Sequence, residues 1–407
     1  MGSVSQIGWE WYSRMARRVP TTLVTHVRNR AALEQAGVRE DQDDVVYIDT
    51  EWLAGPLYRW SSRIFGASEH AVFLVSSSDF FFFDRQAVKR IRGRMRNGER
   101  WDIAHAVTPV SPASPTTLFR LGIPLVRGPL NGGLGIPPGF GDIMKEEYGW
   151  LYPVRNVGHL LDRLNGSTRN TTVLLSATQS TFESFPERYQ HKIVTMIENG
   201  VELNRFTPTP WPSDPSSENP VRLLFVGRLI PFKGIPMLIE AVSAVRSEMK
   251  IEVRIVGEGA MKAEWKELVR QKGLESEIRL LGGQSLDQVA EHMKWCHAFV
   301  LPSVRESGGA VLLEAMASAR PVAAVGYGGP AEIVDDDIGV LIPPSGPDSV
   351  IRGLIEVIRS VKSNPEIWRG RGQTGLERAR TLYSWESKMD QALEIYRNIL
   401  KQKQEAS

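Results

Sequence analysis

A single cysteine, Cys296, stands among the 407 residues. No intrachain disulfide can form, and a reducing compartment is the expected setting. Charge of one sign is also missing: 49 Lys and Arg face 47 Asp and Glu, for a net charge of +2. A dedicated nucleic-acid binder usually shows a strong basic excess, so the balance argues against that class. No uninterrupted apolar run reaches transmembrane length, and no basic start followed by an apolar core marks a signal peptide. The GEG at 257–259 is too short for the nicotinamide fingerprint G-x-G-x-x-G, and there is no Walker loop. What is present is 42% apolar composition in a long chain. That suffices for two large cores. A two-domain cytoplasmic enzyme without a cofactor is expected.

Short apolar runs alternate with helical patterns. Strands are predicted at 21–27, 44–49, 71–76, 102–107, 124–126 and 171–176, and helices at 7–18, 30–35, 51–64, 84–97 and 142–165. The chain starts in a helical pattern, where a nucleotide-binding type of domain would start with a strand. That strand is expected to be missing or to lie upstream. Residues 206–220 are rich in Pro and Ser and read as a linker. A cleaner alternation follows, with strands at 221–226, 251–256, 278–281, 298–301 and 321–325. Helices are predicted at 235–249, 260–272, 285–294, 309–318 and 330–334, and the tail 349–404 is helical. The fold class is therefore α/β, with two doubly wound, Rossmann-like domains.

In such sheets ligands sit beyond the carboxyl ends of the strands. Gly227, Gly257, Gly282, Gly308 and Gly309 all follow predicted strands. Arg228 can fork onto phosphate oxygens, and Lys233 on the same loop adds a compact charge. A solvated basic pair before helix 235–249 is the structural alternative, although positive charge is unfavourable at that end of a helix. Gly308 and Gly309 open a helix whose amides can meet phosphate. Glu306 and Glu314 can accept sugar and ribose hydroxyls; a first-turn acid and an interhelical salt bridge are the structural alternatives. His105 ends a strand, and Asn131, Gly132 and Gly133 lie in a glycine-rich loop facing the same cleft. His292, Cys296 and His297 have a metal-like spacing, but ligands from one helix do not close a site, so packing is expected and no metal. Lys89, Arg90, Arg92, Arg94, Arg96 and Arg100 crowd one segment beside Phe80–Phe83. A solvated helix and a membrane-surface contact are both open there.

Together these motifs resemble the retaining glycosyltransferases of family 4, which have the GT-B fold. The resemblance rests on Gly227-Arg228 with Lys233-Gly234, and on Glu306 and Glu314 seven intervening residues apart. It continues in Gly328-Gly329 with Glu332, and in Asn199-Gly200-Val201-Glu202 leading to Phe206. It implies an acceptor domain over 1–205, a linker over 206–220, a nucleotide-sugar donor domain over 221–380, and a C-terminal helix over 381–407 crossing back. It implies that Arg228 and Lys233 neutralise the departing diphosphate, Glu306 touches the donor sugar, and Glu314 the ribose. Amides near Ser307, Gly308 and Gly309 would hold sugar or phosphate, and His105 would stand near the reaction centre. The reaction implied is metal-independent transfer of a hexose, with retention, from a UDP- or GDP-sugar to a glycan or lipid-linked glycan. Gly8-Trp9 with Asn29-Arg30 resembles bacterial members of polysaccharide assembly, which implies a cytoplasmic protein with peripheral contact at the inner membrane surface as an open alternative. Gly308 departs from the family pattern E-x-F-G, where Phe is common. A small-acceptor synthase, a nucleotide-sugar epimerase and a silent sugar-nucleotide-binding protein remain as alternatives.

Overall fold

The computed structural model describes residues 4–40, 42–52, 69–137, 139–141 and 160–405. Its strands are β1 (Leu23–His26), β2 (Val45–Ile48), β3 (Ala104–Ala106), β4 (Leu125–Leu130), β5 (Val173–Ser176), β6 (Ile193–Thr195), β7 (Val221–Val226), β8 (Ile251–Val256), β9 (Ile278–Gly282), β10 (Ala298–Leu301), β11 (Val322–Val325) and β12 (Gly339–Ile342). The longer helices are α1 (Val4–Met15), α2 (Glu69–Arg96), α3 (Ile235–Val245), α4 (Lys262–Gln271), α5 (Leu286–Trp295), α6 (Ala310–Ala317), α7 (Pro347–Ser363), α8 (Pro365–Arg378) and α9 (Trp385–Glu405).

Among the described residues the strands pair in parallel, as alternation with helices requires. In the first half, β1 pairs with β2, and β3-β4-β5-β6 form a separate sheet. In the second half the order is β12-β11-β10-β7-β8-β9. The run VRLLFV of β7 lies in the middle, and Leu223, Leu224 and Phe225 are fully buried there. A continuous apolar run suits a strand covered on both faces. The chain winds outward from β7 to β9, then returns to β10 on the other side of β7. The switch point of this sheet is therefore the crevice between β7 and β10.

Two expectations change. Residues 71–76, read as a strand, lie inside α2, which runs without a break from Glu69 to Arg96. A short apolar run bounded by no Gly or Pro cannot be told from a buried helix turn by periodicity alone. Residues 206–220 are not a free tether. The Trp211 indole donates to the His297 carbonyl at 2.9 Å, and the buried Arg320 guanidinium donates to the Thr209 carbonyl at 3.1 Å. The expected helix 51–64 falls from residue 53 onward outside the described residues, as does 142–165 up to residue 159. Strands β6 and β12 were not foreseen.

The last helix returns to the first half of the chain. Trp385 and Met389 of α9 pack with Ile7 and Trp11 of α1 and with Val126 of β4. Arg18, three residues past the end of α1, pairs with Glu386 and, at 2.5 Å, with Asp390. Beside this crossing runs the other one. Val201 N donates to the Tyr383 carbonyl at 2.9 Å, and Trp385 N donates back to the Val201 carbonyl at 3.3 Å.

Candidate active site

The loop after β7 carries Gly227, Arg228 and Lys233, and the loop after β10 carries Glu306, Ser307, Gly308 and Gly309. The two loops meet at the switch point, where Lys233 Nζ lies 2.5 Å from Glu306 Oε2. Close approach of the two backbones makes this possible. Gly234 has φ 69°, and a Cβ there would stand 2.1 Å from the Pro302 carbonyl oxygen. Any larger residue would push the Lys233 turn away from the Glu306 loop. Arg228 is exposed on the same loop. The Glu306 carbonyl accepts from Gly329 N at 2.8 Å, which ties the Gly328-Gly329 motif to this carboxylate.

Gly309, with φ 57°, caps α6, and Ser307 is exposed just before it. Glu314 lies further along α6, half-buried. Burial pushes its carboxyl up to about 7. Its ordinary value is 4.5, so the folded chain holds this proton more tightly than the unfolded chain. Stability therefore falls as pH rises through that window, and the cost of the bare charge is complete above about 7. Hydroxyl donors of a ligand would offset that cost.

The glycine-rich loop of the first half reaches the same place. A Cβ on Gly328 would stand 2.9 Å from Leu134 Cδ2, and Phe140 is buried within the core of the second half. Gly132 N donates to Thr181 Oγ1 at 2.9 Å, and Gly133 lies against the Ser180 carbonyl. Asn131 is buried beside Glu198, with neither atom of its amide in a hydrogen bond of good geometry.

His105 belongs to a different group. Its Nε2 lies 2.6 Å from the Gly128 carbonyl, and its Nδ1 lies 2.5 Å from the Tyr396 hydroxyl. A carbonyl only accepts, so Nε2 carries the proton and Nδ1 accepts from Tyr396. Burial pulls the imidazole down to about 4. Trp11 packs edge-on against the ring at 5.0 Å. The two ring nitrogens thus tie β3 to β4 and α9, while Trp11 of α1 covers the ring. The His292, Cys296 and His297 trio also divides. His297 accepts from Arg222 N at 2.9 Å and donates to the Ser213 carbonyl at 3.0 Å, while His292 faces Arg254 at 3.1 Å.

Glu198 and Asn199 were not singled out by charge or spacing as neighbours of Gly308. A Cβ on Gly308 would stand 2.2 Å from Glu198 Oε1 and 2.4 Å from Asn199 Nδ2. The space that a Phe would need is filled by these two side chains. Burial raises the Glu198 carboxyl, and the nearby Glu306 charge adds to the rise. Lys388 of α9 is drawn down to about 7 by burial and donates to the Ile197 carbonyl. Gly308→Ala is expected to raise the donor KM roughly tenfold, the scale of one overpacked contact. Adding Glu198→Ala should recover part of that loss. Strictly additive effects in the double-mutant cycle would show that the two residues do not compete for this space.

Residues 212–370, which contain both loops, match the family model of glycosyl transferases group 1. This segment is thus similar to the group 1 glycosyltransferases. An uncharacterised glycosyltransferase of Methanocaldococcus jannaschii is 32% identical over 177 residues, covering 43% of this chain and 48% of that protein. A D-inositol 3-phosphate glycosyltransferase of Geodermatophilus obscurus is 29% identical over 216 residues, covering 49% of this chain and 46% of the relative. The chain spans about half the length of the curated relatives it matches. In fold, the chain is similar over nearly its whole length to Anabaena HepE in complex with UDP. The TM-score is 0.63 at 17% identity, covering 98% of this chain and 96% of that one. A glycosyltransferase of Rickettsia africae gives a TM-score of 0.61 at 16% identity, covering 98% and 94%. The chain thus has the GT-B architecture, two Rossmann-like parallel-sheet domains facing a cleft.

Proposed function

We propose that this protein is a retaining glycosyltransferase. It moves a hexose from a UDP- or GDP-linked donor to a hydroxyl of a glycan or lipid-linked glycan. The observation that carries this reading is the meeting of Lys233 and Glu306 at the β7–β10 switch point, 73 residues apart in sequence. A positive group and a carboxylate there suit the two ends of a nucleotide-sugar.

In this reading Lys233 and Arg228 face the diphosphate and offset the charge that builds as the glycosidic bond breaks. The amides that open α6 add to this field. Glu306 exchanges its contact with Lys233 for hydroxyls of the donor sugar. Glu314 takes the ribose hydroxyls. The leaving diphosphate accepts the acceptor's proton on the same face from which the sugar departs, so the anomeric configuration is kept. Basic side chains and helix amides carry the charge, so a chelator is expected to leave the rate unchanged.

The test is release of nucleoside diphosphate from a panel of UDP-, GDP- and ADP-sugars, with and without EDTA, followed by NMR assignment of the product anomer. An inverted product, or a rate restored only by magnesium or manganese, would sink the reading. A changed sugar formed from donor alone would favour an epimerase. Glu314 adds a pH signature. Its ionised form accepts two hydroxyls and its protonated form accepts them poorly, so the donor KM should fall as pH rises through about 7. Glu314→Gln should flatten that profile, and an unchanged profile would remove Glu314 from the ribose site.

A further inference from the structure

The outward face of α2 carries a charged feature that the donor site does not use. At 100° per residue, Phe82, Arg85, Lys89, Arg92 and Arg96 fall within about 80° of one another around the helix. All five are exposed. Arg85, Lys89, Arg92 and Arg96 line a groove of about 280 Å³ with Thr117 and with Arg120 from the neighbouring turn. Among the described residues, no acidic one lines it. The acids nearest to it on α2 turn away. Asp84 accepts from Thr116 and Thr117, and Asp79 accepts from Thr50 and pairs with Arg28 at 3.0 Å. Arg94, on the opposite face, takes Asp44 and Glu99. Beyond Arg85 the row continues into two exposed rings. Trp52 is 64% and Phe82 40% exposed, packed edge-on with centroids 6.2 Å apart.

We propose that this face docks on an anionic phospholipid bilayer, with a headgroup phosphate in the groove and Trp52 and Phe82 at the interface. Charge complementarity selects an anion. The aromatic pair selects a lipid surface over a soluble phosphate, because exposed rings beside a basic row suit the boundary between headgroups and acyl chains. Among the described residues no helix is long and apolar enough to cross a membrane, so the contact is with the surface. Arg96 precedes β3 and Arg120 precedes β4, which places the groove at the amino ends of those strands. The switch-point crevice lies beyond carboxyl ends. The inference goes beyond the donor reading and stands without it.

The test is co-sedimentation with vesicles of phosphatidylcholine alone and of phosphatidylcholine mixed with phosphatidylglycerol. The chain should bind only the mixed vesicles and be released by salt. The variant R85E/K89E/R96E should lower the partition coefficient at least roughly a hundredfold, each basic residue near an anionic surface supplying a severalfold factor. The variant K266E/R380E/K401E makes the same change of charge elsewhere and should bind as before. Diphosphate release in solution should be the same in both. If the triple variant does not fold, Lys89→Glu alone should show a smaller fall in the same direction. Equal binding to neutral vesicles, or undiminished binding by the α2 variants, overturns the proposal. So does binding of inorganic pyrophosphate without any vesicle partition, which would mark a soluble ligand.

Discussion

Lys233→Ala is expected to lower kcat by roughly 10²–10³-fold, the scale of losing one preorganised electrostatic contact to a developing charge. The Lys233 amine is held at the end of a short turn, 2.5 Å from Glu306, before any ligand arrives. Its position therefore costs little reorganisation when the diphosphate takes the place of the carboxylate. Negative charge on the diphosphate grows as the glycosidic bond breaks, so the interaction strengthens toward the transition state. The loss should fall mainly on kcat and less on the donor KM. A purely structural role predicts a lower melting temperature and little change per folded molecule. Steady-state rates at saturating donor, normalised to folded protein, separate the two. Near-wild-type turnover would dismiss Lys233 from the chemistry.

Arg320→Met is expected to cost roughly 3–5 kcal/mol, as several buried acceptors lose their donor together. The guanidinium is fully buried and contacts Met293, Lys294, Ser318 and Ala319 carbonyls, both oxygens of Thr209, and the Pro210 carbonyl. It thereby fastens residues 209–210 to the ends of α5 and α6. Met fills similar volume but leaves those carbonyls dry and unpaired. The melting temperature should fall by roughly 10 °C for a unit of this size. Hydrogen exchange should show the 206–220 stretch opening first. An unchanged melting curve would mean that water replaces the guanidinium.

Much of the second half is legible in its sequence because its strands are apolar-rich runs that end at a glycine or proline. VRLLFV before Gly227 and AFVL before Pro302 allow few other readings. The first half is less regular. The 71–76 run has strand-like residues yet continues a helix, since no residue there stops one. Strand β12 is short and follows three aspartates, Asp335 to Asp337, so its pattern is faint.

The candidate site divides in the same way. Arg228, Lys233, Glu306, Glu314 and the glycines around them were identified as chemical types at strand ends. Sheet order then brings the β7 and β10 loops together, and no local pattern encodes that order. His105 shows the reverse case. A strand-end histidine is visible in the chain, but Tyr396, 291 residues away, occupies one of its nitrogens once α9 crosses back. The meaning of Gly308 likewise depends on Glu198 and Asn199, which arrive from the crossing after β6. Local chemistry, the run of elements and the candidate groups were decided by the sequence, because side-chain period and backbone freedom act over a few residues. Which groups touch was decided by tertiary structure, because that depends on how two sheets and a returning helix are packed in space.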